Sequence, residues 1–333
     1  QDVCRYLSVC VWNAFLRLAM IHKAYMALLA VQFIFSGYQL LGKAVLGNGT
    51  HPLIFALLRE LGASCVFLAG ARWIMPVKAW PHEEHLPKTL FAGVLLFGGV
   101  LGMLFGISLT SPASVALLQP TMPVFALIIA ACLGQERLTW RKASSVTMCC
   151  LGAFVIVVSR GDGLEGSNQL GAAVIIGQCL MGAMFTIQQR SLLDLGYSPL
   201  AVTASAYCLA TMMTILTVGL WFVYVGPPLE SLLPSDPSDL FFFAAVITYA
   251  VLFSTVTNYL IMAWASQHVG AVVVTLFSLL QGPFTAAGAW LLYSRSLADS
   301  ELLGGAAIVV GLILSTEPAF KPELRELTWC EKP

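Results

Sequence analysis

The stretch SVALLQPTMPVFALIIAACLGQERLTWRK, residues 114–142, decides the fold. Its first part is apolar enough to cross a bilayer, for which a helix needs ~20 residues. Gln119, Pro120 and Pro123 interrupt the run, and the two prolines free the carbonyls of Ala116 and Gln119. Because hydrocarbon offers a freed carbonyl no partner, such a broken helix survives only inside protein or beside a wet cavity. The pattern therefore indicates either a kinked packing helix or a helix that lines a solute path.

Composition assigns the chain to the multi-span membrane proteins. Its 333 residues are 58% hydrophobic and 10% charged, whereas soluble domains carry about 25% charged residues. The 17 basic and 17 acidic residues balance, so nothing favours nucleic acid as a partner. The nine cysteines are scattered through apolar runs, a spacing typical of neither a disulfide framework nor a metal site. We expect no metal and no other cofactor.

Ten apolar runs have membrane length. They lie at roughly 24–46, 53–75, 88–109, 112–134, 143–159, 168–190, 198–224, 240–265, 268–293 and 301–316. With the N-terminus in the cytosol, 13 of the 17 lysines and arginines fall in cytosolic segments, which is the asymmetry of the positive-inside rule. The sequence thus predicts an all-α, multi-pass integral membrane protein with ten transmembrane helices and both termini cytosolic. The plasma membrane and an organelle membrane remain equally open.

The two halves of the chain repeat each other. Shifted by 147 residues, segment 42–53 falls on segment 189–200, with Gly49 on Gly196. Shifted by 160 residues, Pro123 falls on Pro283. Five spans per half is an odd number, so the halves have opposite orientations in the membrane. Inverted repeats with Gly or Pro breaks in corresponding spans are typical of secondary transporters, whose solute binds near the midplane.

This repeat predicts the domain organisation and the helix breaks. Residues 1–23 are predicted to form an N-terminal segment that is cytosolic or interfacial. It is followed by the first repeat (24–159), an outer linker (160–167), the second repeat (168–316) and a cytosolic tail (317–333). The predicted helix breaks are at Pro120, Pro123 and Pro283.

Several short motifs occur in an order that resembles a known family. They are Ala30-Val31-Gln32-Phe33 with Lys43-Ala44, then Pro123-Val-Phe-Ala with Gly134-Gln-Glu136-Arg-Leu-Thr, and finally Gly304-Gly305-Ala with Gly311. Their order and spacing resemble the plant nodulin-21-like (WAT1-related) transporters, in the EamA branch of the drug/metabolite transporter superfamily. The resemblance covers nearly all of residues 24–316.

The resemblance implies two inverted units of five helices, the EamA/DMT fold. It also implies transport of a small metabolite such as an amino acid, an auxin-like acid or another organic solute. The chain departs from the family where the apolar Gly102-Met-Leu-Phe region replaces a Gln-Asn pair, and where Ser296 stands in place of a glutamate.

Arg59 and Glu60 lie inside a predicted span. Each charge costs ~2.5–3.5 kcal/mol at the bilayer centre on insertion scales, so neither should face lipid. Adjacent helical residues point about 100° apart, so we expect each to find its partner on a neighbouring helix rather than in the other. Either they lock the bundle, or Arg59 attracts a substrate carboxylate and Glu60 takes a coupling proton.

Other polar residues at this depth are candidates for solute binding or for hydrogen bonds between helices. They are Tyr38, Gln39, Gln119, Thr121, Asn258, Tyr259, Ser278 and Gln281. Lys43 and Arg190 end the first span of each half. They either snorkel to the interface or act as gate cations at opposite mouths of the path.

Two further motifs carry no site prediction. His82-Glu-Glu-His85 lacks the His-Glu-x-x-His spacing of zinc proteases and is typical of a solvated loop. Asn48-Gly49-Thr50 is a glycosylation acceptor by pattern, but it lies close to the membrane and we expect it unmodified.

The sequence therefore predicts a transporter without catalytic residues. We expect a secondary transporter or facilitator of a small-molecule substrate, embedded in the lipid bilayer and working by alternating access. Proton coupling and the oligomeric state stay open. The alternatives are a nucleotide-sugar or sugar-phosphate exchanger of the same superfamily, an intramembrane enzyme, and a receptor or scaffold.

Overall fold

The computed structural model describes residues 2–47, 50–74, 80–109, 118–159, 169–226, 233–234, 236–293 and 299–315. Several predicted features lie outside these ranges. They are the linker 160–167, the tail 317–333, Asn48 and Gly49 of the acceptor motif, the carbonyl of Ala116, and Ser296.

Every regular element in the described ranges is helical. The helices are α1 (Asp2–Gly47), α2 (Pro52–Ile74), α3 (Leu86–Leu109), α4 (Thr121–Cys132), α5 (Trp140–Ser159), α6 (Gln169–Asp194), α7 (Pro199–Val225), α8 (Pro237–Tyr249), α9 (Asn258–Val269), α10 (Ala271–Phe277), α11 (Gln281–Tyr293) and α12 (Asp299–Ser315). A π-helical segment, Ala250–Thr257, joins α8 to α9, and a 3-10 turn, Ser278–Leu280, joins α10 to α11.

Many of the described helices have the length and the apolar composition of membrane-spanning helices. Seven stretches are long and apolar enough to cross a bilayer: Leu18–Gly47, Pro52–Ile74, Glu83–Met103, Gln169–Asp194, Pro199–Val225, Pro237–Val269 and Ala271–Gly288. Two shorter apolar helices span Thr121–Cys132 and Leu302–Ser315. The prediction of an all-helical, multi-pass integral membrane protein is confirmed.

α1 extends further than the first predicted span. It runs without interruption from Asp2 to Gly47, so residues 2–23 continue directly into the span. At 1.5 Å per residue the helix is about 70 Å long, whereas the hydrocarbon core is about 30 Å thick. Part of α1 therefore projects beyond the bilayer.

Two large buried clusters hold the helices together. One joins α1, α4, α5, α10 and α12 around residues such as Leu28, Leu127 and Ile308. The other joins α2, α3 and α7 around residues such as Phe67 and Tyr207. α6 and α9 contribute side chains to both clusters, so they connect the two halves of the core.

Small residues allow the closest helix contacts. A Cβ added to Gly152 on α5 would lie 2.5 Å from the carbonyl oxygen of Gly304 on α12. The Ser145 hydroxyl donates to the carbonyl of Gly311 at 2.6 Å along the same contact. In lipid, where apolar burial does not drive association, such close backbone approach is a main source of helix affinity.

Exposed aromatic residues lie near helix ends. Trp73 at the end of α2 and Trp140 at the start of α5 are 90% and 86% exposed. Tyr224 near the end of α7 and Phe241 near the start of α8 are 84% and 79% exposed. Trp and Tyr concentrate at membrane–water interfaces, so these positions fit the two edges of the bilayer.

Candidate functional site

Arg59 and Glu60 form an ion pair with each other. Arg59 Nη2 lies 2.7 Å from Glu60 Oε1, and the two side chains are 19% and 1% exposed. The expectation that these neighbours would not pair is wrong. The angular offset of adjacent residues fixes where their Cβ atoms point, but the long arginine side chain curls back far enough to reach the carboxylate.

Tyr38 on α1 completes the contact with Arg59. Arg59 Nη1 donates to the Tyr38 hydroxyl at 2.9 Å, and the guanidinium carbon lies 5.5 Å from the centre of the Tyr38 ring. The Phe55 ring stacks with that of Tyr38 at 6.1 Å. The guanidinium is thus held by a carboxylate, a phenol and a ring face. We call Tyr38, Arg59 and Glu60 the ionic centre.

Two more tyrosines lie beside the ionic centre. The rings of Tyr207 on α7 and Tyr259 on α9 meet edge to face, with centroids 5.0 Å apart. Both lie within electrostatic range of Arg59 and Glu60. The structure therefore brings together Tyr38, Arg59, Glu60 and Tyr259 from the sequence-predicted set. Tyr207 was missed, because an aromatic residue in an apolar helix gives no signal of its own.

Glu60 keeps one oxygen free. Oε2 is buried and has no hydrogen-bond partner among the described residues, and the same holds for Nε of Arg59. The backbone around Glu60 is fixed, because its carbonyl accepts from Thr211 at 3.2 Å and Thr211 pairs with Ser64 at 2.6 Å. Buried polar atoms are almost always paired, so this free acceptor is where a proton or a solute group can bind.

Gln119 belongs to a different polar cluster. Its Nε2 lies 3.4 Å from Gln178 Oε1 on α6 and 3.4 Å from the sulfur of Met103 on α3. Cys179 approaches the same amide through its sulfur. Gln119 thus contacts α6 through Gln178 and α3 through Met103. The Thr121 hydroxyl donates to the carbonyl of Leu118 at 2.7 Å, and the Cys179 sulfur approaches the same carbonyl at 3.7 Å.

The predicted helix breaks occupy similar positions in the two halves. α4 begins at Thr121, directly after Pro120, and Pro123 is its third residue. α11 begins at Gln281, directly after the 3-10 turn, and Pro283 is its third residue. Proline is tolerated in a first helical turn because the amide there needs no helical partner. Pro123 and Pro283 therefore follow the breaks rather than form their centres.

Two carbonyls just before α4 accept hydrogen bonds, and one of them is the carbonyl of Gln119 that Pro123 frees. The amide of Met122 donates to the carbonyl of Gln119 at 3.0 Å. The Cys150 thiol donates to the carbonyl of Pro120 at 3.2 Å.

The remaining polar candidates make hydrogen bonds to residues outside the ionic centre. Ser278 donates to its own turn, at the carbonyl of Thr275. Gln281 offers its backbone carbonyl to Ser36 at 3.2 Å. Gln39 is exposed and accepts from Thr285 at 2.9 Å. Asn258 is buried and donates from Nδ2 to the carbonyl of Val31 at 3.4 Å.

A second charged group lies at the end predicted to face the cytosol. Glu136, which follows α4, accepts from the amide of Val272 at 3.3 Å and pairs with Lys142 at 2.9 Å. Arg190 on α6 donates to the carbonyl of Ser266 at the end of α9 and lies 3.7 Å from Asp194. The contact of Glu136 with Val272 joins the first predicted repeat to the second, whereas the contacts of Arg190 lie within the second. Lys43, the predicted counterpart of Arg190, is exposed near the end of α1.

The sequence of this chain is similar to those of known membrane transporters. Residues 22–158 match the EamA-like transporter family. The WAT1-related protein At5g47470 of Arabidopsis thaliana is 25% identical over 312 residues, covering 86% of this chain and 83% of the relative. The chain is therefore similar to EamA-type membrane transporters.

Further similar proteins come from bacteria and plants. The uncharacterized transporter YcxC of Bacillus subtilis is 24% identical over 239 residues, covering 69% of this chain and 72% of that one. Protein WALLS ARE THIN 1 of Arabidopsis thaliana is 20% identical over 338 residues, covering 87% and 81%. A solved crystal structure superimposes with a TM-score of 0.72 at 15% identity, covering 90% of this chain and 99% of that chain. At that identity, the superposition shows a shared fold.

Proposed function

We propose that the protein is a secondary transporter or facilitator of a small organic metabolite, such as an amino acid or an auxin-like organic acid. The observation that carries the proposal is the ionic centre, where a nearly buried Arg59 and a fully buried Glu60 lie within spanning helices, with one carboxylate oxygen unpaired. Placing an ionised side chain inside the membrane costs free energy, and ionisable residues found there typically line substrate or proton paths.

The ion pair suggests how protonation of Glu60 and solute binding favour each other. While Glu60 is ionised, it holds Arg59 Nη2 and repels an incoming carboxylate. When Glu60 takes a proton on Oε2, its hold on Arg59 weakens and the guanidinium becomes free to bind the solute carboxylate. Tyr38 keeps the guanidinium in place throughout, because its hydroxyl accepts from the other nitrogen. Solute binding and protonation of Glu60 are then linked.

Alternating access would proceed by movement of two inverted repeats of five helices, covering 24–159 and 168–316, within ten spans with both termini cytosolic. The matched placement of Pro123 and Pro283 at the start of α4 and α11 supports this division. The contacts of Glu136 with Val272 and of Arg190 with Ser266 would close the cytosolic mouth.

Uptake by reconstituted vesicles tests the proposal. Purified full-length protein is placed in vesicles and supplied with labelled amino acids and organic acids at two external pH values. We expect uptake of at least one compound, faster at the lower pH, and none in vesicles without protein. Absence of uptake across the panel, with exchange of a labelled nucleotide sugar instead, would establish the rival exchanger function.

A further inference from the structure

Gln32 on α1 is a buried side chain with no partner. Its exposed fraction is 0%, and both Nε2 and Oε1 lack hydrogen bonds to any described residue. A carboxamide carries two donors and one strong acceptor, so none of its capacity is used. Burying such a group without hydrogen bonds is unfavourable, and in native proteins this needs a specific reason.

The position of Gln32 is well fixed. Its backbone carbonyl accepts from Ser36 at 2.8 Å, and the same hydroxyl reaches the carbonyl of Gln281 at 3.2 Å. Leu28 and Ser36, one turn away on either side, are also buried. Residues four apart share a helix face, so the carboxamide lies on the face of α1 that Ser36 turns toward the start of α11.

A second unpaired amide lies on the neighbouring helix. Asn258 is fully buried and contacts α1 through Nδ2, which donates to the carbonyl of Val31, the residue next to Gln32. Its Oδ1 has no partner among the described residues. One turn earlier, the hydroxyl of Ser254 is equally buried and unpaired.

The backbone between Ser254 and Asn258 is unusual. Residues Ala250–Thr257 are π-helical, and the Thr257 hydroxyl donates to the carbonyl of Leu252, five residues earlier. π-helical turns are rare and often occur at functional sites. Asn258 follows this segment directly and precedes Tyr259, which lies beside the ionic centre.

We propose that Gln32 and Asn258 form a second part of the solute site, which binds an uncharged hydrogen-bonding group of the solute, such as a hydroxyl or a carboxamide. This inference rests on the proposed function and deepens it. The ionic centre binds the charged end of the solute, and the two amides select its polar remainder. A site built to hydrogen-bond such a group discriminates strongly against an analogue that lacks it.

Paired solutes provide the transport test. Vesicles with wild-type protein are given labelled serine against alanine, and labelled asparagine against leucine. We expect wild type to prefer the polar member of at least one pair by about tenfold or more. Gln32→Leu should abolish this preference by slowing the polar member more than the apolar one. A wild type without preference, or a Gln32→Leu variant that keeps it, would overturn the proposal.

Thermal unfolding of the solute-free protein tests the same residue without transport. Replacing an unpaired amide by leucine leaves no polar group unsatisfied, so we expect the unfolding midpoint of Gln32→Leu to stay equal or rise. A matched control is Thr214→Val, which removes a buried hydroxyl that bonds to its own helix at the carbonyl of Ala210. The control should leave the solute preference unchanged.

The two readouts separate this inference from the proposed function. A clear fall in the midpoint of Gln32→Leu would show that the amide holds the bundle together, and would overturn the inference whatever is transported. If wild type transports neither member of either pair, the proposal that the solute is an amino acid is wrong. The unfolding midpoint of Gln32→Leu still shows whether Gln32 stabilises the helix bundle.

Discussion

A carboxylate oxygen of Glu136 accepts a hydrogen bond from the backbone amide of Val272 at 3.3 Å, although the two residues are 136 positions apart. Val272 is the second residue of α10, so Glu136 acts as a helix cap supplied from a distant part of the chain. Its other oxygen pairs with Lys142 at 2.9 Å. One side chain thereby joins the end of the first predicted repeat to the interrupted helix of the second.

Two substitutions of Glu136 should weaken its contact with Val272 and Lys142 to different degrees. Glu136→Gln keeps an acceptor for Val272 but loses the ion pair, whereas Glu136→Ala loses both. We expect Glu136→Ala to lower the free energy of unfolding by about 1–2 kcal/mol, and Glu136→Gln by less. Thermal unfolding in detergent measures both, with Lys142→Gln as the control for the ion pair alone. Equal stability of the alanine variant and wild type would contradict the capping role.

Gly270 should tolerate alanine worse than Gly196 does. Both have positive φ, +93° and +92°, which disfavours a side chain. A Cβ on Gly270 would also lie 2.5 Å from Glu136 Oε1, whereas one on Gly196 would meet nothing within 4 Å. Each alanine costs about 1–3 kcal/mol in backbone strain, and Gly270→Ala should cost more because Glu136 must move. Unfolding midpoints of the two variants check this, and equal values would rule out the extra clash.

The ionic centre predicts a non-additive pair of substitutions. Arg59→Met should lower the free energy of unfolding by about 3–5 kcal/mol, because it leaves the Glu60 carboxylate buried without its partner. Adding Glu60→Gln should recover most of that loss, since no charge then remains at the site. Transport should be absent from both variants, because the guanidinium that binds the solute is gone.

A control on the same helix distinguishes this from general damage. Arg72 is exposed at the end of α2, and Arg72→Met should change stability by no more than about 0.5 kcal/mol. If Arg59→Met folds and transports at the normal rate and affinity, the role of Arg59 in solute binding is excluded.

The contact between α5 and α12 should be sensitive to a single methyl group. Gly152→Ala places a Cβ 2.5 Å from the Gly304 carbonyl oxygen, and overpacking of this kind costs about 1–3 kcal/mol. Gly99→Ala on α3 is the matched control, because its Cβ would meet nothing within 4 Å and alanine favours helix formation. Opposite shifts of the two unfolding midpoints are expected, and a stable Gly152→Ala variant would contradict the packing.

Sequence reasoning located most helices but mistook some side-chain contacts. The run from 240–265 corresponds to one continuous helical stretch, Pro237–Val269, yet its π-helical part left no recognisable pattern. The Arg59–Glu60 pair was wrongly excluded, because the estimate used the direction of the Cβ atoms and neglected the reach of a long side chain. Glu136 appeared in the sequence analysis only as part of the motif Gly134-Gln-Glu136-Arg-Leu-Thr. Gln32 was visible in the sequence as a polar residue within the apolar helix α1. That its side chain has no hydrogen-bond partner among the described residues depends on the packing around it.

The sequence by itself determined that this is a helical, multi-pass membrane protein, because partition into lipid depends on the local run of apolar residues along the chain. The tertiary structure decided which polar groups meet. Whether Glu60 pairs with Arg59, whether Gln32 has a partner, and which amide Glu136 caps all depend on how distant helices pack. Hydrogen bonds act over about 3 Å, so their pattern is fixed only when the helices are in place.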